Sequence, residues 1–122
     1  MKSLYLILTF CFCFGFAKAQ TRYVAATGGL DAGACTLPGS PCLTINYAIT
    51  QAVANDVISV AAGTYASAVN INKAVILEAP NKDVLTSVAR PALATEANIS
   101  GVVTLAANDV IINGFRFVPQ QL

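Results

Sequence analysis

The stretch from Val57 to Val118 constrains this chain most, because it breaks into short apolar segments separated by turn residues. Val57-Ile58-Ser59-Val60, Val69-Asn70-Ile71, Ala74-Val75-Ile76-Leu77-Glu78, Val102-Val103-Thr104-Leu105 and Val110-Ile111-Ile112 follow one another, punctuated by Gly, Asn, Pro and Ala. Each is aliphatic or β-branched and too short for an ordinary helix, so each reads as a strand. Strand alternation turns Ile58, Val60, Val69, Ile71, Val75 and Leu77 inward. Ser59, Asn70, Asn72, Ile76 and Glu78 then face outward. A single short strand cannot bury its apolar face, but stacked copies can, by piling inward side chains into one column.

An internal repeat supports stacking. Ala54-Asn55-Asp56-Val57-Ile58 recurs as Ala107-Asn108-Asp109-Val110-Ile111, with Asn81-Lys82-Asp83-Val84-Leu85 as a looser copy. Counted on the aspartates, the repeat is 26 or 27 residues. A competing register matches Val69 with Val103, Ile71 with Leu105 and Val75 with Val110, a shift of 34 or 35. We favour the second for the strands, since it keeps inward positions inward along two consecutive segments. Asn81 to Ala97 lacks alternation, contains Arg90-Pro91, and reads as a loop between repeats, with one weak strand inside it as the alternative.

Upstream, Thr21 to Ala26 reads as an opening strand, stopped by Thr27-Gly28-Gly29. Gly28, Gly29 and Gly33 do not have phosphate-loop spacing and no helix directly follows them, so a surface loop is expected. The helical exception is Leu43 to Ala54, where Ile45, Ala48, Ile49, Ala52 and Val53 form one apolar stripe. Thr44 is the expected N-cap. A one-sided helix ahead of a row of strands predicts a lid over the end of the β stack.

The first residues read as an address. Lys2 precedes a 13-residue run from Leu4 to Phe16, apolar except for Thr9 and Gly15, and Ala17-Lys18-Ala19 offers a small-x-small site with cleavage expected before Gln20. That run is short of the roughly 20 residues of a bilayer span, and no later stretch is apolar enough to stop transfer. A retained signal anchor is the alternative. Lipid attachment fits less well, because Phe precedes both Cys11 and Cys13. Residues 1–19 are therefore expected to be a signal peptide, and the mature chain to be secreted or held at the cell surface without a membrane span.

Removing 19 residues from 122 leaves 103, with five basic residues against six acidic ones. A net charge near −1 gives no footprint for nucleic acid. Of four cysteines, Cys35 and Cys42 remain, flanking Pro38-Gly39-Ser40-Pro41. Outside the reducing cytosol they predict a structural disulfide that pins the loop before the helix. Two thiols without any His make a zinc site improbable, and no cofactor is expected.

Three stretches together carry a family likeness. Tyr23-Val24-Ala25-Ala26-Thr27-Gly28-Gly29, Pro41-Cys42-Leu43-Thr44-Ile45 running to Ala48-Ile49, and Val57-Ile58-Ser59-Val60-Ala61-Ala62-Gly63-Thr64-Tyr65 resemble the opening of right-handed parallel β-helix proteins of the pectin lyase-like superfamily. Those openings show a strand, a Pro-x-x-Thr-Ile helix, an Ile-x-Val-x-x-Gly-x-Tyr rung and then a Val-x-Leu-x-Gly rung. Val110-Ile111-Ile112-Asn113-Gly114-Phe115 fits the last slot, whereas Ala74 to Ala79 puts Ala79 where Gly is usual. The likeness runs from about Thr21 to Phe117. It implies an all-β fold, a right-handed parallel β-helix of few coils with an N-terminal capping α-helix. Residues 20–122 would be the cap and first coils of a longer protein.

Function follows less directly, because that superfamily holds lyases, glycosidases, esterases and non-enzymatic surface proteins. Polysaccharide cleavage needs paired carboxylates, or carboxylate-bound calcium with a basic residue. Asp56, Asp83 and Asp109 recur at repeat starts, where Asp also serves simply to form turns. Arg90 and Arg116 could bind acidic sugars or be solvated surface charge, and Tyr65, Phe115 and Phe117 could stack on sugars or fill the core. No catalytic residue, cofactor site or metal site is assigned. The expected function is a non-catalytic secreted or cell-surface module that binds a polysaccharide or cell-surface glycan, or serves adhesion. The alternative is the N-terminal fragment of a polysaccharide lyase or glycoside hydrolase whose active-site coils are missing.

Overall fold

The computed structural model describes residues 18–83 and 95–119. The expected signal segment up to Ala17, and Arg90 with most of the expected inter-repeat loop, lie outside the described residues. Within them the fold is all-β with one short helix. Strands β1 (Thr21–Val24), β2 (Val57–Val60), β3 (Gly63–Tyr65), β4 (Val69–Ile71) and β5 (Ile76–Glu78) surround helix α1 (Ile45–Gln51) in sequence. Then come β6 (Ala97–Ile99), β7 (Val103–Leu105), β8 (Ile111–Asn113) and β9 (Arg116–Phe117).

These strands form three sheets, ordered β1-β2-β5-β8, β3-β6-β9 and β4-β7. Every pairing between them is parallel. From β2 onward the chain visits the first, second and third sheets in that cycle, repeats it with β5, β6 and β7, and begins again with β8 and β9. Such short strands can bury themselves only by leaning on the layers before and after them.

Of the two competing repeat registers, the longer shift is the one that β3–β6, β4–β7 and β5–β8 use, while β2–β5 and β6–β9 pair at shorter spacings. Val69 pairs with Val103 and Ile71 with Leu105, while Ile76 pairs with Ile111. The aspartate repeat of 26 or 27 residues is not a strand register.

Side-chain alternation places the core as expected. Ile58, Ile71, Val75 and Leu77 are fully buried, and Val60 and Val69 nearly so. Residues of all three sheets, with Ile45, Ala48 and Ile49 of α1, form one hydrophobic cluster. Each fully buried Ile or Leu there contributes roughly 1.5–3 kcal/mol.

Helix α1 is shorter at both ends than the expected Leu43 to Ala54, and begins at Ile45, the first residue of the apolar stripe. Thr44 is the N-cap, in extended conformation, and its side chain accepts a hydrogen bond from the Tyr47 N–H. At the other end Ala52 returns to extended backbone. There Lys73 Nζ donates to the carbonyls of Ile49, Thr50 and Ala52 at 2.9, 3.0 and 2.7 Å. A cation on the orphan carbonyls of the last turn satisfies them where the helix stops. The helix lies against β1, β2 and β4, as a lid over the first layer would.

Cys35 and Cys42 are joined by a disulfide, with Cα atoms 5.4 Å apart. The loop they close runs along the outer edge of β1. Tyr23 N donates to Cys35 O, Cys42 N to Tyr23 O and Ala25 N to Cys42 O, at 2.8, 2.8 and 2.9 Å. This edge, which would otherwise template a foreign strand, is thus occupied by the protein's own loop. No helix among the described residues is long and apolar enough to cross a membrane.

Candidate functional site

The repeated aspartates do not converge. Asp56 is fully buried, whereas Asp83 and Asp109 are exposed. Asp109 occupies a left-handed bend at φ 57°, a turn position. No group of three His, Cys, Asp or Glu residues suited to a metal exists among the described residues. A calcium stack on these acids therefore has no geometric basis here. The physical reason is the strand register, in which neither Val57↔Ile76 nor Ile76↔Ile111 follows the 26- or 27-residue spacing of the aspartates.

Asp56 instead anchors a buried network. Its carboxylate accepts from Arg22 Nε at 3.0 Å, from Gln20 N at 2.8 Å and from Val53 N at 3.0 Å. Burial alone would raise its pKa. The two backbone N–H groups and the Arg22 guanidinium together outweigh that and hold it below the usual carboxylate value. A second buried acid, Glu96, was not singled out by sequence. It receives Arg116 Nη1 at 3.3 Å and Asn81 Nδ2 at 3.5 Å. Both acids are held by partners inside the fold, a structural arrangement.

The aromatic residues also separate. Tyr65 and Phe115 are buried in the core, while Phe117 is more than half exposed. Tyr65 Oη donates to Ala61 O at 2.8 Å and accepts from Ala26 N at 3.2 Å. The three do not make a stacking platform. Asn98 is buried within β6, and its Nδ2 donates to Glu96 O.

What remains open is a groove of about 230 Å³ where the start of α1 meets the β3–β4 turn. Leu43, Thr44, Asn46, Thr64 and Ser67 contribute to its walls. Asp31, from the glycine-containing loop, fixes one side. Its Oδ1 accepts the N–H groups of Leu43 and Thr44 at 2.9 Å each, and its Oδ2 accepts from Thr44 Oγ1 at 2.8 Å. Asn46 fixes the other, donating to Ala68 O at 2.5 Å and accepting from Asn70 N at 2.9 Å. These spacings of 12 to 24 residues leave no local signal in the sequence.

The hydroxyls of Thr64 and Ser67 are exposed and take no hydrogen bond from the described residues. They sit beside the apolar side chain of Leu43, itself 40% exposed. The volume falls below the roughly 300–1,000 Å³ of pockets that enclose a drug-sized ligand, so the groove fits a small polar group at the end or edge of a larger molecule. No protein-family model, curated protein or solved structure matches this chain.

Proposed function

We propose that this chain is a secreted or cell-surface module, built as a right-handed parallel β-helix of few coils, that binds carbohydrate or mediates adhesion and is not itself catalytic. The observation that carries the reading is the cyclic order of the strands. Two successive circuits of the chain each add one parallel strand to each of three sheets, and a third begins with β8 and β9. Repetitive stacking of this kind makes a rigid display surface rather than a deep cavity. The disulfide between Cys35 and Cys42 suits an oxidising compartment, as does the apolar leader that ends at Ala19. The likeness to pectin lyase-like proteins agrees with both.

The groove beside Leu43 is the contact point in this reading. Thr64 and Ser67 offer hydroxyls that can exchange hydrogen bonds with sugar hydroxyls, and Leu43 offers an apolar wall for a ring face. The buried acids hold the scaffold and take no part in binding.

The test is binding of the purified protein to a printed array of neutral and acidic oligosaccharides. Retention of a defined glycan, lost when Thr64→Val and Ser67→Ala are combined, supports the reading. A folded protein that binds nothing on the array sinks the carbohydrate assignment. The compartment is checked separately by N-terminal sequencing of protein recovered from the culture medium. A chain starting at Gln20 is expected, and full retention inside the cell removes the secreted assignment.

A further inference from the structure

The groove beside Leu43 is walled without any charged side chain; Thr44, Asn46, Thr64 and Ser67 supply its polar atoms. The sequence has no Lys or Arg between Arg22 and Lys73. Arg22 is buried against Asp56 at 3.0 Å. Lys73 Nζ is held by the carbonyls of Ile49, Thr50 and Ala52, at the end of α1 away from Thr44. Arg116 shares the register of Thr64 and Asn98, two strands along, but its guanidinium is paired with Glu96 at 3.3 Å.

Negative charge, by contrast, is built into the rim. Asp31 is exposed, and three neutral donors fix its carboxylate. Leu43 N and Thr44 N donate to Oδ1, and Thr44 Oγ1 donates to Oδ2. Leu43 and Thr44 are themselves wall residues, so the carboxylate stands within hydrogen-bond reach of the groove's own backbone. Neutral donors orient a charge without cancelling it, and among the described residues no cation pairs with Asp31.

We propose that Asp31 makes this groove select uncharged sugar units over those that carry a carboxylate or a sulfate. The inference rests on the carbohydrate reading of the groove and adds the class of sugar. The hydroxyls of Thr64 and Ser67 can each donate and accept, which matches a sugar hydroxyl but gives no positive charge to offset an acid. An acidic sugar therefore meets Asp31 with nothing to compensate the repulsion. Like charges about 5 Å apart in water-like surroundings cost a factor of about five in affinity.

The probes are the neutral oligosaccharide that the array retains most strongly and the same oligosaccharide with its primary hydroxyls oxidised to carboxylates. Amide shifts of Thr64 and Ser67 during titration of the folded protein locate and measure binding. The neutral form should bind about fivefold tighter or more. That gap should narrow in about 1 M salt, where the screening length falls to about 3 Å. Asp31→Asn keeps an oxygen for the Leu43 and Thr44 N–H groups and an amide that can donate to Thr44 Oγ1, so the circular dichroism spectrum should not change. It should raise affinity for the oxidised form about fivefold and leave that for the neutral form within about twofold. An array that retains only acidic glycans overturns the inference, as does an oxidised form that binds as tightly as the neutral one. So do a gap that salt leaves unmoved and an Asp31→Asn variant that shifts both probes equally. In each of those cases a glycan is still bound and the carbohydrate reading stands. Thr64 and Ser67 amides that respond to no glycan overturn both.

Discussion

Arg22 and Asp56 meet at 3.0 Å across 34 residues of sequence, with side chains only 6% and 0% exposed. The pair joins several parts of the molecule at once. Asp56 holds the backbone at Gln20, before β1, and at Val53, just past α1. Arg22 Nη1 in turn donates to Ala34 O, beside the disulfide, at 2.6 Å. Removing one partner strands the other as an unpaired buried charge. Asp56→Ala should therefore cost roughly 3–5 kcal/mol in chemical denaturation. Replacing both partners, as Arg22→Met with Asp56→Leu, should recover much of that loss, because no charge is then left unpaired. Equal losses for the single and double variants would contradict this account.

The same carboxylate gives the fold an acid limit. Burial pushes the Asp56 pKa up, but the Gln20 and Val53 N–H groups and Arg22 bring it below the usual carboxylate value. A pKa lower in the folded than in the unfolded state means stability that is fully present above about pH 4 and lost as pH falls through the folded value. Thermal melting between neutral and strongly acidic pH should show this decline. Asp56→Asn should lower the neutral plateau and flatten the acid slope. An unchanged slope in that variant would place the acid sensitivity elsewhere.

The strands were legible because their signal is local and periodic. Alternation at Ile58 and Val60, at Val69 and Ile71, and at Val75 and Leu77 survives directly as burial, and matching Val69 with Val103 anticipates an observed pair. The N-cap at Thr44 was legible, but the C-terminal end of the helix was not. Lys73, which occupies the last carbonyls of α1, lies more than 20 residues from them. The buried charges were not legible at all. Nothing near Arg22 or Glu96 in sequence announces a buried ion, because their partners arrive through the stacking of layers 34 and 20 residues away. The groove was missed for the same reason. Its walls come from a loop, the start of a helix and a strand turn that only the fold brings together.

Reduction of the disulfide should loosen one end of the molecule first. Cys35 and Cys42 are 7 residues apart, and cross-linking so short a loop stabilises by about 2–3 kcal/mol in the chain-entropy account. The larger consequence is local, since the loop carries the hydrogen bonds along the edge of β1. Cys35→Ala with Cys42→Ala should speed amide exchange at Tyr23 and Ala25, whose N–H groups donate to the loop, before that at Ile76 or Ile111. Uniform acceleration across the sheet would show instead that the bridge stabilises only the unfolded-state balance.

Gly114 marks a tight passage between layers. Its φ of +84° lies in the left-handed region, and a Cβ there would sit 2.4 Å from Lys82 N and 2.8 Å from Asn81 C. Both are backbone atoms, and Lys82 N is itself engaged with Ala79 O at 3.0 Å, so the turn cannot yield without losing that bond. Gly28 separates the two effects. Its φ is +80°, yet nothing lies within 4 Å of where its Cβ would stand. Gly28→Ala should cost only the conformational penalty, about 1 kcal/mol. Gly114→Ala should cost at least about 2 kcal/mol more, since steric displacement adds to it. Denaturant midpoints of the two variants measure the difference. Equal shifts would mean that the turn at Asn81 and Lys82 gives way freely, and that Gly114 is required for its backbone angle alone.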